Sequence, residues 1–126
     1  MATGTDGSGD DTVSGGAGDD SLSGGGSAGR FHEGTTGDDT LEGGSGDDLV
    51  YAHAGDDSVR GGDGDDELHG NSGDDTLEGG SGDDTVYAHA GDDSIRGGDG
   101  DDELHGNAGD DTFEGGSGDD TVYAHA

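Results

Sequence analysis

The chain has 126 residues, of which 33 are glycine, 33 are acidic and only 3 are basic, so its formal net charge is −30. This chain has too little apolar surface to offset the entropy of ordering it around one ordinary core, and it lacks the basic surface that nucleic-acid binding needs. Because it contains no cysteine and no apolar run of about 18 residues, disulfides, thiolate metal sites and a membrane-spanning helix are excluded.

A repeat of nine residues orders most of the chain. The triplet Gly-Asp-Asp occurs 12 times, and between residues 34 and 123 it recurs every nine residues without interruption. Two copies stand upstream, in 6–14 and 15–23, followed by residues 24–33, a ten-residue segment without the triplet. We expect 24–33 to be a degenerate turn that keeps the coil, with Phe31 at the apolar position. The strict repetition favours a repeat fold over acidic low-complexity disorder, which is the alternative.

Each nonapeptide predicts one turn and one short strand. Numbered from 1 to 9, positions 1–6 are rich in glycine and turn-forming residues, position 8 is always apolar, and positions 7 and 9 are polar or amphipathic. The pattern predicts a three-residue strand whose centre faces inward. Two nonapeptides then make one coil, and stacked coils make two thin parallel sheets. Position 2 usually holds Gly, Asn or His, which tolerate positive φ, so a left-handed backbone is predicted there.

The nonapeptides resemble GGxGxDxUx, the calcium-binding repeat-in-toxin (RTX) pattern, in which U is a bulky apolar residue. The resemblance covers about residues 6–123. It implies an all-β protein, a parallel β-roll that forms a two-sheet right-handed β-solenoid with 18 residues per coil. We therefore expect a single array over 1–126, with amino-terminal repeats at 1–23, the degenerate turn at 24–33 and regular repeats at 34–126.

Parity distinguishes the two aspartates of each turn. Position 6 lies two residues before the inward position 8, so its carboxylate is predicted to face the interior, whereas position 5 faces outward. A stacked column of such carboxylates needs a cation, and hard oxygen donors without thiolates favour calcium over zinc or copper. The resemblance implies calcium held between stacked turns by these side chains and by carbonyls of the glycine-rich positions, and the intact pairs of stacked turns give about nine sites. The predicted metal ligands are Asp20, Asp39, Asp48, Asp57, Asp66, Asp75, Asp84, Asp93, Asp102, Asp111 and Asp120.

A longer period predicts ladders on the outside of the roll. Residues 34–69 and 70–105 are nearly identical blocks, so position 9 alternates along each face. One face alternates in charge, and the other alternates Tyr with His, which is either a structural stripe or a contact surface. His and Asn alternate in a separate column at position 2. A transition-metal site there is an alternative, less favoured than a purely structural role. The three columns are Glu42, Arg60, Glu78, Arg96 and Glu114; Tyr51, His69, Tyr87, His105 and Tyr123; and His53, Asn71, His89, Asn107 and His125.

The favoured function is structural, because the enzyme motif H-E-x-x-H and the P-loop are absent, and Ser and His lie on repeated turns and strand flanks with no unique cleft. We expect a secreted, extracellular calcium-binding rod that folds on binding calcium. It is also expected to associate end to end into a homo-oligomer or filament, since residues 124–126 leave a nonapeptide unfinished without a cap. The alternatives are a calcium-triggered folding or secretion module of a larger RTX exoprotein, whose family implies export by type I secretion, and a designed repeat array.

Overall fold

The computed structural model describes residues 3–5, 12–14, 21–23, 30–33 and 36–125, the last range with its side chains. These ranges contain fourteen strands and no helix, so none of them holds a helix that could cross a membrane. The strands form two seven-stranded sheets, ordered β1-β3-β5-β7-β9-β11-β13 and β2-β4-β6-β8-β10-β12-β14. All neighbours pair in parallel, which confirms the predicted all-β roll.

The strands are β1 (Thr3–Thr5), β2 (Thr12–Ser14), β3 (Ser21–Ser23), β4 (Arg30–Glu33), β5 (Thr40–Ser45), β6 (Asp48–Ala54), β7 (Ser58–Asp63), β8 (Glu67–Ser72), β9 (Thr76–Ser81), β10 (Thr85–Ala90), β11 (Ser94–Asp99), β12 (Glu103–Ala108), β13 (Thr112–Ser117) and β14 (Thr121–Tyr123).

The core lies between the two sheets and is one side chain thick. Position 8 is buried in every nonapeptide from Leu41 to Leu104, as the sequence predicts, because alternate residues of a strand face opposite sides. Position 1 faces inward as well, and where it is not glycine it adds Ala52 and Ala88 to the core. Phe113 packs against this core from the last full coil.

The strands from β5 to β13 have six or seven residues, so the predicted three-residue strand is wrong. Pairing continues through positions 2 and 3 of the next nonapeptide, as in His89 with Asn107 and Ala90 with Ala108. The backbone at position 2 is left-handed, with φ of 82° at His89 and 77° at Asn107, which confirms that prediction. The left-handed residue bends the strand without ending it, because the ladder resumes immediately afterwards. The turn proper is therefore the Gly-Asp-Asp triplet.

The stacked turns approach closely because position 4 is always glycine in the regular repeats. Gly73 has a φ of 128°, and a Cβ there would overlap the carbonyl oxygen of Gly55 in the preceding coil. Its N–H donates to the carbonyl of Ala90 at 3.0 Å, in the following coil. This contact fixes how the aspartates of neighbouring coils meet.

The register of β4 corrects one prediction about the degenerate turn. His32, and not Phe31, aligns with Val13 and with Val50, the position-8 residues of the neighbouring strands. The strand keeps the regular 18-residue offset from β6, so the extra residue of segment 24–33 moves Phe31 one place forward, opposite Leu49. A first strand, β1, pairs with β3 and so extends the roll upstream of the first Gly-Asp-Asp triplet.

Candidate metal centre

The Gly-Asp-Asp turns stack along two edges of the roll. Edge 1 contains the turns that follow β5, β7, β9, β11 and β13, and edge 2 contains the turns that precede these strands. We call the position-6 residues the inner aspartates and the position-5 residues the outer aspartates. The inner aspartates are Asp48, Asp66, Asp84, Asp102 and Asp120 on edge 1, and Asp39, Asp57, Asp75, Asp93 and Asp111 on edge 2.

The inner aspartates face the interior, as parity predicts. Those from Asp39 to Asp102 are only 1–3% exposed, and Asp111 and Asp120 in the last coil are half-buried. Every outer aspartate from Asp38 to Asp119 is exposed. The remaining predicted ligand, Asp20, lies outside the described residues. The structure therefore brings together ten of the predicted side chains in two rows of five.

Each inner carboxylate after the first of its row uses one oxygen to join two coils. The N–H of Asp75 donates to Oδ1 of Asp93 at 2.8 Å, and on edge 1 the N–H of Asp66 donates to Oδ1 of Asp84 at 2.8 Å. Eight such hydrogen bonds link inner aspartates 18 residues apart. Hydrogen bonds to a charged acceptor are stronger than neutral ones, so they help to hold the coil spacing.

The outer aspartates form a second ladder that runs the opposite way. The N–H of Asp92 donates to Oδ1 of Asp74 at 2.9 Å, so here the acceptor lies in the preceding coil. Parity predicted only that these residues face outward. A signal was available, because position 5 is Asp in every nonapeptide from 34 to 123, whereas an unconstrained exposed position would vary.

The second oxygen of the inner carboxylates has no hydrogen-bond partner although it is buried. This holds for Oδ2 of Asp57, Asp66, Asp75, Asp84, Asp93 and Asp102. A buried carboxylate oxygen without a partner is costly unless a proton or a cation satisfies it. The row is therefore built for a positively charged ligand, and in its absence protons must take that role.

The pKa values of the inner carboxyls are raised, as expected for buried groups without a cation. Burial raises the pKa of Asp66 to about 7, with further upward contributions from the Asp84 and Asp48 carboxylates, while the hydrogen bond from the Asp48 amide lowers it. Burial likewise raises the pKa values of Asp75 and Asp84 to about 7. The pKa values of Asp57, Asp93 and Asp102 are also raised, and burial is again the largest cause.

Where position 1 is glycine, it leaves space beside Oδ2 of the inner carboxylate of the same nonapeptide. A Cβ on Gly43 would lie 2.6 Å from Oδ2 of Asp48 and 2.6 Å from the carbonyl oxygen of Gly61 in the next coil. The same position on Gly97 would lie 2.6 Å from the carbonyl oxygen of Gly115, and it would also meet Oδ2 of Asp102. A carboxylate and a carbonyl oxygen thus converge on a space that only glycine keeps open.

This donor set fits calcium and does not fit a soft or borderline metal. Within residues 36–125, no three His, Cys, Asp or Glu side chains converge on one point. A calcium ion here would take its further ligands from backbone carbonyls or water, both of which fit its shell of six to eight oxygens, while structural zinc sites use His and Cys.

A family model matches the chain over residues 3–29, 33–68, 60–95, 69–104 and 96–126, and its description is RTX calcium-binding nonapeptide repeat. The chain belongs to this RTX family. Comparisons with curated proteins and with solved structures gave no significant match. As an RTX β-roll the chain binds calcium, and both rows of inner aspartates contain buried carboxylate oxygens.

The charged ladder on the outside of the RTX roll has the predicted register. Arg96 pairs with Glu78 and Glu114 in the neighbouring strands, and the same offset places Glu42 opposite Arg60. Arg96 Nη2 lies 3.8 Å from Glu114 Oε1, and both side chains are exposed. Such a pair contributes about 0–1 kcal/mol and serves mainly to fix register.

The Tyr and His stripe forms a continuous stack on the other sheet. Ring centroids are 4.4 Å apart for Tyr51 and His69 and 4.5 Å apart for His105 and Tyr123, with nearly parallel planes. His69 also places Nε2 2.8 Å from Glu67 Oε1 and Nδ1 3.2 Å from His89 Nε2. Burial lowers the pKa of His89, and nearby His69 and His105 lower it further. These contacts favour the structural interpretation of the stripe.

Proposed function

We propose that this RTX roll is an extracellular structural element that folds when calcium binds between its stacked turns, with the inner aspartates as side-chain ligands. The observation that carries the proposal is the column of buried carboxylates whose Oδ2 atoms have no partner. Calcium would supply positive charge and oxygen coordination at these atoms. The inner aspartates would then hold the ion, and the position-1 carbonyls would complete its shell.

Calcium binding and folding are coupled because neither the site nor the core exists in the unfolded chain. The buried apolar side chains are few, and the eight most buried inner aspartates oppose folding while they are charged. Binding to the folded state alone stabilises that state. Eight turn pairs within the described residues offer such a site, and the ninth expected pair involves Asp20.

Calcium titration of the full chain tests this proposal. At pH 7.5 in excess chelator, circular dichroism should show a random coil, and millimolar calcium should induce β-structure cooperatively. Magnesium at the same concentration is the matched control, because its strict octahedral geometry suits a carbonyl-rich site poorly. Equal β content in chelator and in calcium would contradict calcium-dependent folding.

The extracellular assignment rests on the calcium concentration that such sites need. Carbonyl-rich extracellular modules bind calcium in the range of about 0.1–1 mM, far above the range of cytosolic sensors. A roll that folds only in that range stays unfolded where calcium is scarce. A midpoint of calcium-induced folding in the micromolar range or below would argue against this location.

End-to-end association is the second part of the proposal. Strand β14 pairs with β12 on one side, and two of its own residues, Val122 and Tyr123, are 44% and 40% exposed. An open parallel edge is a template for another strand, and a second copy would continue both sheets at the same offset. Repulsion between acidic rolls opposes contact, so calcium should promote it.

Sedimentation and electron microscopy across a calcium titration test association. The wild-type chain should form particles that lengthen with concentration, whereas a variant with a polar capping helix after Ala126 should stay monomeric. If the wild-type chain remains monomeric at high calcium, the filament proposal is wrong. The folding module of a larger exported protein is then the better description.

A further inference from the structure

We propose that the two edges of the roll are inequivalent and that calcium occupies edge 1 at lower concentration than edge 2. This inference rests on the proposed binding of calcium by the inner aspartates. It adds that residues flanking the turns divide the sites into two classes, which the family pattern alone does not specify.

Position 1 gives the first difference between the edges. Along edge 1 this position is glycine in all five nonapeptides, namely Gly43, Gly61, Gly79, Gly97 and Gly115. Along edge 2 it alternates, and Ala52 and Ala88 place fully buried methyl groups where Gly70 leaves space beside Oδ2 of Asp75. The methyl groups narrow the space beside the Asp57 and Asp93 carboxylates, so that fewer oxygens can surround an ion.

The distance from position 1 to the facing carbonyl oxygen of the next coil also differs between the two edges. A Cβ on Gly43 or Gly97 would lie 2.6 Å from the facing carbonyl oxygen, which belongs to another glycine. A Cβ on Gly70 would lie 3.1 Å from the carbonyl oxygen of Ala88. At Gly70 the open space is therefore bounded less closely by a carbonyl oxygen than at Gly43 or Gly97.

Charge around the turns gives an independent second difference. Edge 1 is flanked by four exposed carboxylates, at Asp63 and Asp99 in position 3 and at Glu67 and Glu103 in position 7. The equivalent positions on edge 2 hold only Ala, Ser or Thr. The two arginines near edge 1 alternate with three glutamates of the charged ladder, so they do not cancel this excess. Added negative charge raises the calcium affinity of a site.

The consequence is a two-step response to calcium. Each coil contributes one turn to each edge, so ions on edge 1 would restrain both sheets before edge 2 fills. At intermediate calcium the roll is closed along one edge only. The second step then completes it, and two transitions should be separable by calorimetry.

A matched pair of variants tests the order of filling in the full chain. Asp84 on edge 1 and Asp93 on edge 2 are both buried, and each accepts a 2.8 Å hydrogen bond from the amide of the preceding coil. Asn preserves that acceptor and removes the charge. In calorimetric titration with calcium chloride, we expect Asp84→Asn to weaken the tighter phase about tenfold at the affected sites. Asp93→Asn should leave that phase unchanged and weaken only the second.

A gain-of-binding variant keeps the proposal testable if an Asn variant fails to fold. The double variant Ala52→Gly with Ala88→Gly should raise the calcium affinity of the weaker phase towards that of the tighter phase. The double variant Ala54→Gly with Ala90→Gly is the control on the same edge. A single phase in the wild-type chain, equal effects of Asp84→Asn and Asp93→Asn, or no gain from the double glycine variant would overturn the inequivalence. Absence of any calcium binding by the wild-type chain would instead overturn the proposed function.

Discussion

The inner and outer aspartates are neighbours in sequence, yet they occupy opposite environments. Asp75 is 1% exposed and one of its carboxylate oxygens has no partner, whereas Asp74 is exposed. Both accept an amide hydrogen bond from another coil, but Asp75 accepts it from Asp57 in the preceding coil and Asp74 accepts it from Asp92 in the following coil. Successive carboxylates therefore fasten each turn to both of its neighbours.

The comparison distinguishes an aspartate with a structural role from an aspartate suited to binding a metal. The outer carboxylate remains in contact with water, so its charge costs little and its hydrogen bond adds modest stability. The inner carboxylate has lost its water and needs a proton or a cation. Burial, and not residue identity, distinguishes the aspartates that we propose as metal ligands from the outer ones.

The largest expected effect comes from removing one carboxylate of each kind. Asp75→Ala, on edge 2, should raise the calcium concentration at the midpoint of the second folding step by about tenfold, because an inner ligand of that edge is lost. Asp74→Ala should shift it far less, since only an exposed hydrogen bond is removed. Circular dichroism during calcium titration measures both midpoints. Equal shifts would show that the outer aspartates also ligate calcium.

Acid should partly replace calcium in folding the chain. The unfolded pKa of an inner aspartate is 3.8, and burial raises the folded pKa values of Asp66, Asp75 and Asp84 to about 7. The folded state thus binds protons more strongly, and this stability is complete below pH 3.8 and is lost as pH rises through about 7.

Circular dichroism in chelator between pH 7.5 and pH 4 checks this expectation, with β-structure increasing as pH falls. When calcium is present, lower pH should have the opposite effect on calcium binding. Protons compete with calcium for the same oxygens, so the calcium concentration at the folding midpoint should rise as pH falls. A metal-free chain that is equally unfolded at pH 4 and pH 7.5 would mean that protonated inner aspartates do not suffice.

A smaller effect should come from the outer ladder alone. Asp74→Asn keeps an Oδ1 acceptor for the Asp92 amide, whereas Asp74→Ala removes it. We expect the alanine variant to be less stable than the asparagine variant by about 0.5–1.5 kcal/mol, the usual net contribution of one hydrogen bond. Urea unfolding in saturating calcium measures the difference. If the two variants unfold together, the outer hydrogen bond contributes nothing.

The smallest effect should come from the charged ladder, which lies farther from the turns. Arg96→Gln removes an exposed pair with Glu114 and should cost about 0–1 kcal/mol, less at high salt. Unfolding at two ionic strengths provides the measurement, and His105→Gln in the stacked stripe serves as the comparison. A larger loss for Arg96→Gln would mean that the ladder fixes the fold as well as the register.

Periodicity in the sequence predicted most of the roll, because each residue type recurs at a spacing with a direct geometric meaning. The apolar residues at position 8 predicted the core, and the alternation of faces predicted which aspartates are buried. The restriction of position 2 mostly to Gly, Asn and His predicted a left-handed backbone there. Strand length was mispredicted, since nothing in a glycine-rich segment indicates that pairing resumes after a left-handed residue. The place of Phe31 was mispredicted because local counting cannot show where an extra residue is absorbed.

The sequence by itself determined the coil length, the parallel sheets and the faces of the two aspartates, since these follow from the nine-residue period and the alternation of a strand. Tertiary structure alone decided how the coils are joined. The opposite directions of the two carboxylate ladders, the buried Oδ2 atoms without partners and the space beside position-1 glycine all depend on contacts between residues 18 apart. The nine-residue pattern predicts which residues lie next to each other, but only the packing of the coils determines which carboxylate oxygens are left without a hydrogen-bond partner.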